Sequence, residues 1–190
     1  MALHTFDPDP ETVEAVRAHL SELVGRAEFS ARRLARANPL ALALAVPHEI
    51  YYMGLDELAE GRPVTTARSV AQGFLVFDGA EPVASAEVGG EGSGFMVTEG
   101  QFVGATARAI ERAERRDDIG DAEVRLMRIP AVYLMALWLH DPDGRDDVVI
   151  PMEPAPAPLE AGRTYRPEEL IQPLAEMARR RLDGGDELGG

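Results

Sequence analysis

Four histidines, His4, His19, His48 and His140, are the side chains best able to move a proton near neutral pH. One of them has chemically promising neighbours, because His48 is followed by Glu49, Tyr51 and Tyr52. His48-Glu49 matches the opening of a zinc-protease helix. That chemistry needs a second histidine four positions on, where Tyr52 stands. The other three histidines are scattered along the chain, so no metal site is expected. What remains is a candidate ligand cleft formed by His48, Glu49 and Tyr51. His48 could also act as an acid–base partner of Asp56 or Glu57. No nucleophile or oxyanion hole lies beside them in the sequence, so no catalytic residue is assigned and no cofactor is expected.

Much other chemistry is closed off by composition. The chain contains no lysine and no cysteine, and all 19 of its basic side chains are arginine. A Schiff base to a side-chain amine, a phosphate-loop lysine, a thiolate nucleophile and thiolate-held zinc or iron–sulfur clusters are thereby excluded. GC-biased codon usage produces such a composition without selection on function. Guanidinium groups stay charged near neutral pH and cannot serve as bases there.

Other motifs fail on spacing. Gly90, Gly92 and Gly94 match neither the dinucleotide nor the Walker pattern, and Glu87, Glu91 and Glu99 would repel phosphate. Asp141 to Asp147 resembles a calcium loop, but its glycine is fourth instead of sixth and Met152 takes the place of the closing glutamate. No serine sits in a Gly-x-Ser-x-Gly elbow. Arg26, Arg32, Arg33 and Arg36 read as a solvated or ion-paired helix face.

The run Ala131 to Leu139 is apolar on both faces, whereas a half-exposed antiparallel strand alternates. Tyr133, Met135 and Leu137 would point one way, and Val132, Leu134, Ala136 and Trp138 the other. Such a strand is either central in its own sheet or covered by another chain. The second case makes Tyr133, Met135, Leu137 and Trp138 a candidate interface.

These residues must be positioned by the following elements. Asp9-Pro10-Glu11 starts a helix carrying Val13, Val16, Leu20 and Leu23. A second helical stretch is expected from Arg26 to Ala37. Leu40 to Val46 is ambiguous and should end at Pro47, before a strand over 48–53. Gly73 to Phe77, an Asp78-Gly79 turn and Pro82 to Val88 read as a hairpin. Thr98 and Gln101 have capping-box spacing for a helix running to about Arg116, with Phe102, Thr106, Ile110 and Ala113 inward. Strands over 123–128 and 131–140, or one strand bent at Pro130, precede a polar turn and Val148 to Ile150. Residues 151–163 form a proline-rich extended connector. A last helical region should be split by Pro173, and a disordered tail should cover 183–190.

The pattern predicts a single α+β domain over 1–182. Its mostly antiparallel sheet of about five to seven strands should carry an N-terminal helical segment, a middle helix and a C-terminal helix. A net charge of −14 argues against nucleic acid or an anionic membrane as partner. With no disulfide possible and no leader pattern at the amino end, the cytoplasm of a bacterium is the expected location. The expected function is therefore non-catalytic binding, through self-association or a protein partner. Alternatives are a small-molecule binder or enzyme built on the His48 cleft, and an acidic accessory protein for a basic partner.

Overall fold

A computed structural model describes residues 3–24, 33–90, 94–116, 119, 121–143 and 145–186. Its element order is α1 (Pro10–Leu23), β1 (Leu42–Tyr52), α2 (Leu55–Ala59), β2 (Arg68–Asp78), β3 (Glu81–Gly89), β4 (Phe95–Thr98), α3 (Gln101–Glu114), β5 (Glu123–Ile129), β6 (Leu134–His140), β7 (Val148–Pro151) and α4 (Pro167–Asp186). The strands make one seven-stranded sheet in the order β4-β3-β2-β1-β5-β6-β7. The chain is α+β and the sheet is mostly antiparallel. Two meanders, β1 to β4 and β5 to β7, meet where β1 pairs in parallel with β5. The chain passes from β4 through α3 to β5, the long crossover that a parallel neighbour requires.

Residues opposite each other across a ladder share a side of the sheet. On one side, α1 places Val16, Leu20 and Leu23 over Phe74, Val76, Ala84 and Ala86. Farther along that side, Leu170, Leu174 and Ala178 of α4 and Leu58 of α2 cover Met127, Ile129, Ala136 and Trp138. On the opposite side α3 sets Val103, Ile110 and Ala113 against Leu75, Val124, Leu137 and Leu139.

The two apolar faces of β6 are thus both covered by this chain. Leu137 and Trp138 are fully buried, on opposite sides of the sheet. They have no surface to offer a partner, so the interface expected on Tyr133, Met135, Leu137 and Trp138 does not exist as a single patch. The reason is local as well as topological. Pro130–Val132 forms one 3-10 turn, and Tyr133 leaves the strand with a φ of 54°. Its ring is 69% exposed, and the Arg181 guanidinium lies 4.7 Å from its centre.

Several boundaries differ from expectation for physical reasons. The Asp9 carboxylate caps α1 by accepting the Glu11 N–H at 2.8 Å, as anticipated. The second helical stretch, expected from Arg26 to Ala37, lies largely outside the described residues; within them only a 3-10 turn at Leu34–Arg36 is found. Pro47 does not end a segment but sits inside β1. Thr98 belongs to β4 and caps nothing, while α3 begins after Gly100, whose φ of 129° suits only glycine. Pro173 does not divide α4, since Leu170, Leu174, Ala175 and Ala178 continue one buried stripe across it. The same helix extends to Asp186, where a disordered tail was expected from 183; residues 187–190 lie outside the described ones.

The proline-rich segment after β7 is folded back by turns. Leu159 N–H donates to Pro156 O at 2.9 Å and Gly162 N–H to Pro151 O at 2.8 Å. Tyr165 then bridges to Val149, covering the far edge of the sheet.

Candidate functional site

The site begins with an irregularity in β1. Ala45 lies opposite Leu75 and His48 opposite Gly73, so β1 carries one more residue than β2 over this interval. The extra residue makes a bulge, and Pro47, which has no N–H to lend a ladder, is tolerated there. Val46 adopts a φ of 48°, a rare conformation for a β-branched residue that costs about 1–3 kcal/mol.

The bulge holds the Val46 carbonyl where it accepts a hydrogen bond of 2.7 Å from His48 Nδ1. A carbonyl oxygen can only accept, so the proton resides on Nδ1 and Nε2 keeps a bare lone pair. Nε2 is also the only buried side-chain nitrogen or oxygen without a hydrogen-bond partner among the described residues. His48 itself is 1% exposed. Leaving such an atom unmatched costs about 1–3 kcal/mol. Backbone strain and an orphaned acceptor therefore coincide within three residues.

Room for the ring comes from glycine. A Cβ on Gly73 would stand 2.5 Å from His48 Nε2. Beyond Gly73 in the same row across the sheet comes its register partner on β3, Glu87. The Glu87 side chain, 6% exposed, pairs with the Arg128 guanidinium, which reaches it from β5. Burial pushes the His48 pKa below its ordinary 6.5, overcoming the Val46 hydrogen bond and the Glu87 charge, which favour protonation; Arg128 adds to the depression.

His48, Glu87 and Arg128 line a pocket of about 260 Å³ between the amino end of α3 and the sheet. Met96, Phe102, Val103, Leu126 and Met135 give it apolar walls, and Ser85, Thr98 and Thr106 contribute hydroxyl-bearing side chains. The Thr106 hydroxyl already donates to Phe102 O at 2.8 Å. Glu99 also lines the pocket, and its carboxylate accepts the Leu34 N–H at 2.6 Å.

The cleft expected from His48, Glu49 and Tyr51 is not assembled. Successive residues of a strand point to opposite sides, so the sheet itself separates His48 from the other two. Glu49 and Tyr51 belong to the α1 and α4 side, where the Tyr51 hydroxyl donates to Glu49 Oε2 at 2.7 Å. There the Arg125 guanidinium lies 4.9 Å from the Tyr51 ring centre and 5.0 Å from that of Trp138, and it is paired with Glu123 at 2.9 Å. Burial, reinforced by the Glu49 hydrogen bond, pushes the Tyr51 phenol up to about 12 against the opposing Arg125 charge. Every member of this cluster has a partner, and it reads as a packed structural stack.

The polar turn after β6 is likewise self-satisfied. Asp147 accepts from Trp138 Nε1 at 2.8 Å, His140 Nδ1 at 3.0 Å and the Asp141 N–H at 2.8 Å. The Asp141 carboxylate accepts the N–H groups of Asp143, Arg145 and Asp146, which hold its pKa below the usual carboxylate range. A larger depression of about 500 Å³ lies beside this turn, but these carboxylates on its wall are already engaged. Among the described residues no group of three or more His, Asp or Glu side chains is placed to hold a metal ion.

Sequence reasoning reached His48 as a cleft residue, named Met135 only for an interface and Glu87 only as a charge opposing phosphate, and passed over Val46, Gly73 and Arg128. A lone glycine inside a strand signals close approach by another group, which is what Gly73 allows. Nothing local pairs Glu87 with Arg128, 41 positions apart. No protein-family model, no curated protein and no solved structure matches the chain.

Proposed function

We propose that the chain is a small-molecule-binding protein whose ligand occupies the pocket beneath the start of α3. The observation that carries this reading is the pocket itself, in which His48 and the Glu87–Arg128 pair meet walls of Met96, Phe102, Val103, Leu126 and Met135. The volume supports it: an apolar cavity of about 150 Å³ holds benzene, so about 260 Å³ admits a substituted ring or a small bicycle. No hydroxyl is hydrogen-bonded to Nε2, so the imidazole has no nucleophile to activate, and the contacts favour binding over catalysis. The protein-interaction reading loses its motive once both faces of β6 are covered from within the chain.

Ligand-observed saturation-transfer NMR with a panel of one- and two-ring compounds tests the proposal. Several compounds should bind the natural chain and lose binding in Ser85→Phe, which fills the pocket from β3, with its melting temperature checked alongside. Compounds that bind Ser85→Phe equally well, or a panel with no binders, would count against it.

A further inference from the structure

Away from the pocket at its amino end, α3 carries a row of cations. Arg108, Arg112 and Arg116 follow at four-residue intervals and so share one face of the helix. All three line a separate cavity of about 90 Å³, which Ile150 and Met152 also border. Like charges at this spacing destabilise a helix. The chain has ample means to neutralise them, with 33 acidic side chains against 19 arginines. It does so for the next residue along, where Arg115 pairs with Glu111.

Arg116 is engaged by the Thr164 hydroxyl. The exposed guanidinium groups of Arg108 and Arg112 have no hydrogen bond, ion pair or ring contact among the described residues. Glu153 lines the same cavity and pairs with neither of them. The helix dipole accounts for a cation in the last turn, where Arg112 stands, but not for Arg108 in the middle. The backbone makes room for both. A Cβ on Gly104 would stand 3.1 Å from Arg108 Nη1, so this guanidinium lies back over a glycine inside the helix, a position where glycine costs stability. Arg112 Nη1 reaches the facing segment, 3.7 Å from where a Cβ on Gly162 would stand.

We infer that this row is an anion site and that its ligand carries a phosphate group. Guanidinium groups bind phosphate oxygens through paired N–H donors, and two of them one turn apart hold a tetrahedral group from two sides. Two unpartnered positive charges match a phosphate dianion, whereas a carboxylate neutralises only one. The cavity admits a head group and no large body, and Ile150 and Met152 offer apolar contact to an ester carbon. The site is independent of the small-molecule pocket beneath the start of α3.

Backbone-amide NMR of the full chain tests this by titration with inorganic phosphate, phenyl phosphate and benzoate at constant ionic strength. At least one phosphate should bind about tenfold more tightly than benzoate and shift the amides of 105–116 and Gly162. Equal binding of the two phosphates identifies the free ion as sufficient, and a preference for phenyl phosphate identifies an organic monoester. In Arg108→Gln/Arg112→Gln the affinity should fall at least about tenfold. Arg33→Gln/Arg145→Gln removes the same charge elsewhere and should keep the affinity within about twofold. The first variant should unfold no more easily than the natural chain, because it relieves repulsion along α3. A marked loss of its stability would make the row structural and overturn the inference. So would benzoate matching the phosphates, equal losses in the two double variants, or no phosphate binding. None of these outcomes bears on the ring-compound panel, which decides the small-molecule reading separately.

Discussion

Gly73→Ala should destabilise the fold by about 3 kcal/mol, a large effect for one methyl group. Gly73 is not among the glycines held at positive φ, so alanine fits its backbone and the cost is purely one of space. The new Cβ would stand 2.5 Å from His48 Nε2, 3.0 Å from Cδ2 and 3.1 Å from Cε1. Three ring atoms are involved, so a small rotation cannot relieve the contact. The imidazole is pinned at its other nitrogen by Val46, and swinging it away forfeits that bond as well. Urea denaturation of the two single variants and of His48→Ala/Gly73→Ala measures the coupling. In the double variant the methyl enters space the ring has left, so adding Gly73→Ala to His48→Ala should cost less than about 1 kcal/mol. Strict additivity of the two changes would show that the ring and the glycine are not in contact.

Arg128→Met should be the most damaging change at the buried ion pair, at about 3–5 kcal/mol. It strands the Glu87 carboxylate, which is nearly without solvent, in a row with His48 and Gly73. Glu87→Gln should cost only about 1–2 kcal/mol, because the amide oxygen still accepts from Arg128, and that guanidinium is 27% exposed and retains some water. The combined Glu87→Leu/Arg128→Met variant should recover most of the loss, since it buries apolar groups in place of an isolated charge. Denaturant midpoints provide the comparison. Equal and small effects of the two single changes would mean that the pair is solvated and does not shape the pocket.

The parts of this molecule legible in its sequence are those governed by local rules. The Asp9 cap, the Asp78-Gly79 hairpin and the amphipathic stripe of α3 all follow from residues within a few positions of one another. The parallel contact between β1 and β5 was not legible, because it depends on how two meanders dock across α3. Pro47 misled for an instructive reason. Proline breaks a regular ladder, yet a bulge leaves a position with no hydrogen bond to lose, and that bulge is the device that orients His48.

The site divides in the same way. His48 was visible as a histidine in an aromatic stretch, but its neighbours in sequence, Glu49 and Tyr51, face the opposite side of the sheet. Its actual companions come from β2, β3 and β5, at separations no local pattern encodes. The apolarity of β6 on both faces was also correctly visible, and its explanation lies in helices on both sides of the sheet.

A neutral, buried His48 also links stability to pH. In the unfolded chain the imidazole takes up a proton near 6.5, whereas the folded environment, through burial, resists it. The unfolded state then binds more protons, so this residue's contribution is present above pH 6.5 and declines as pH falls below it. Glu87 and Arg128 are the charged groups whose fields act on the ring, in opposite directions.

The central claim is that folded His48 carries its proton on Nδ1, keeps an unpaired buried Nε2, and lines a pocket that takes a small molecule. Nitrogen-15 NMR of the imidazoles in the intact chain, recorded across pH and then with a binder from the one- and two-ring panel, tests it most directly. The account predicts an Nδ1–H tautomer that persists well below pH 6.5 and imidazole resonances that move when the binder is added. An Nε2–H tautomer, or a ring that titrates at 6.5 and ignores every compound of the panel, would contradict it.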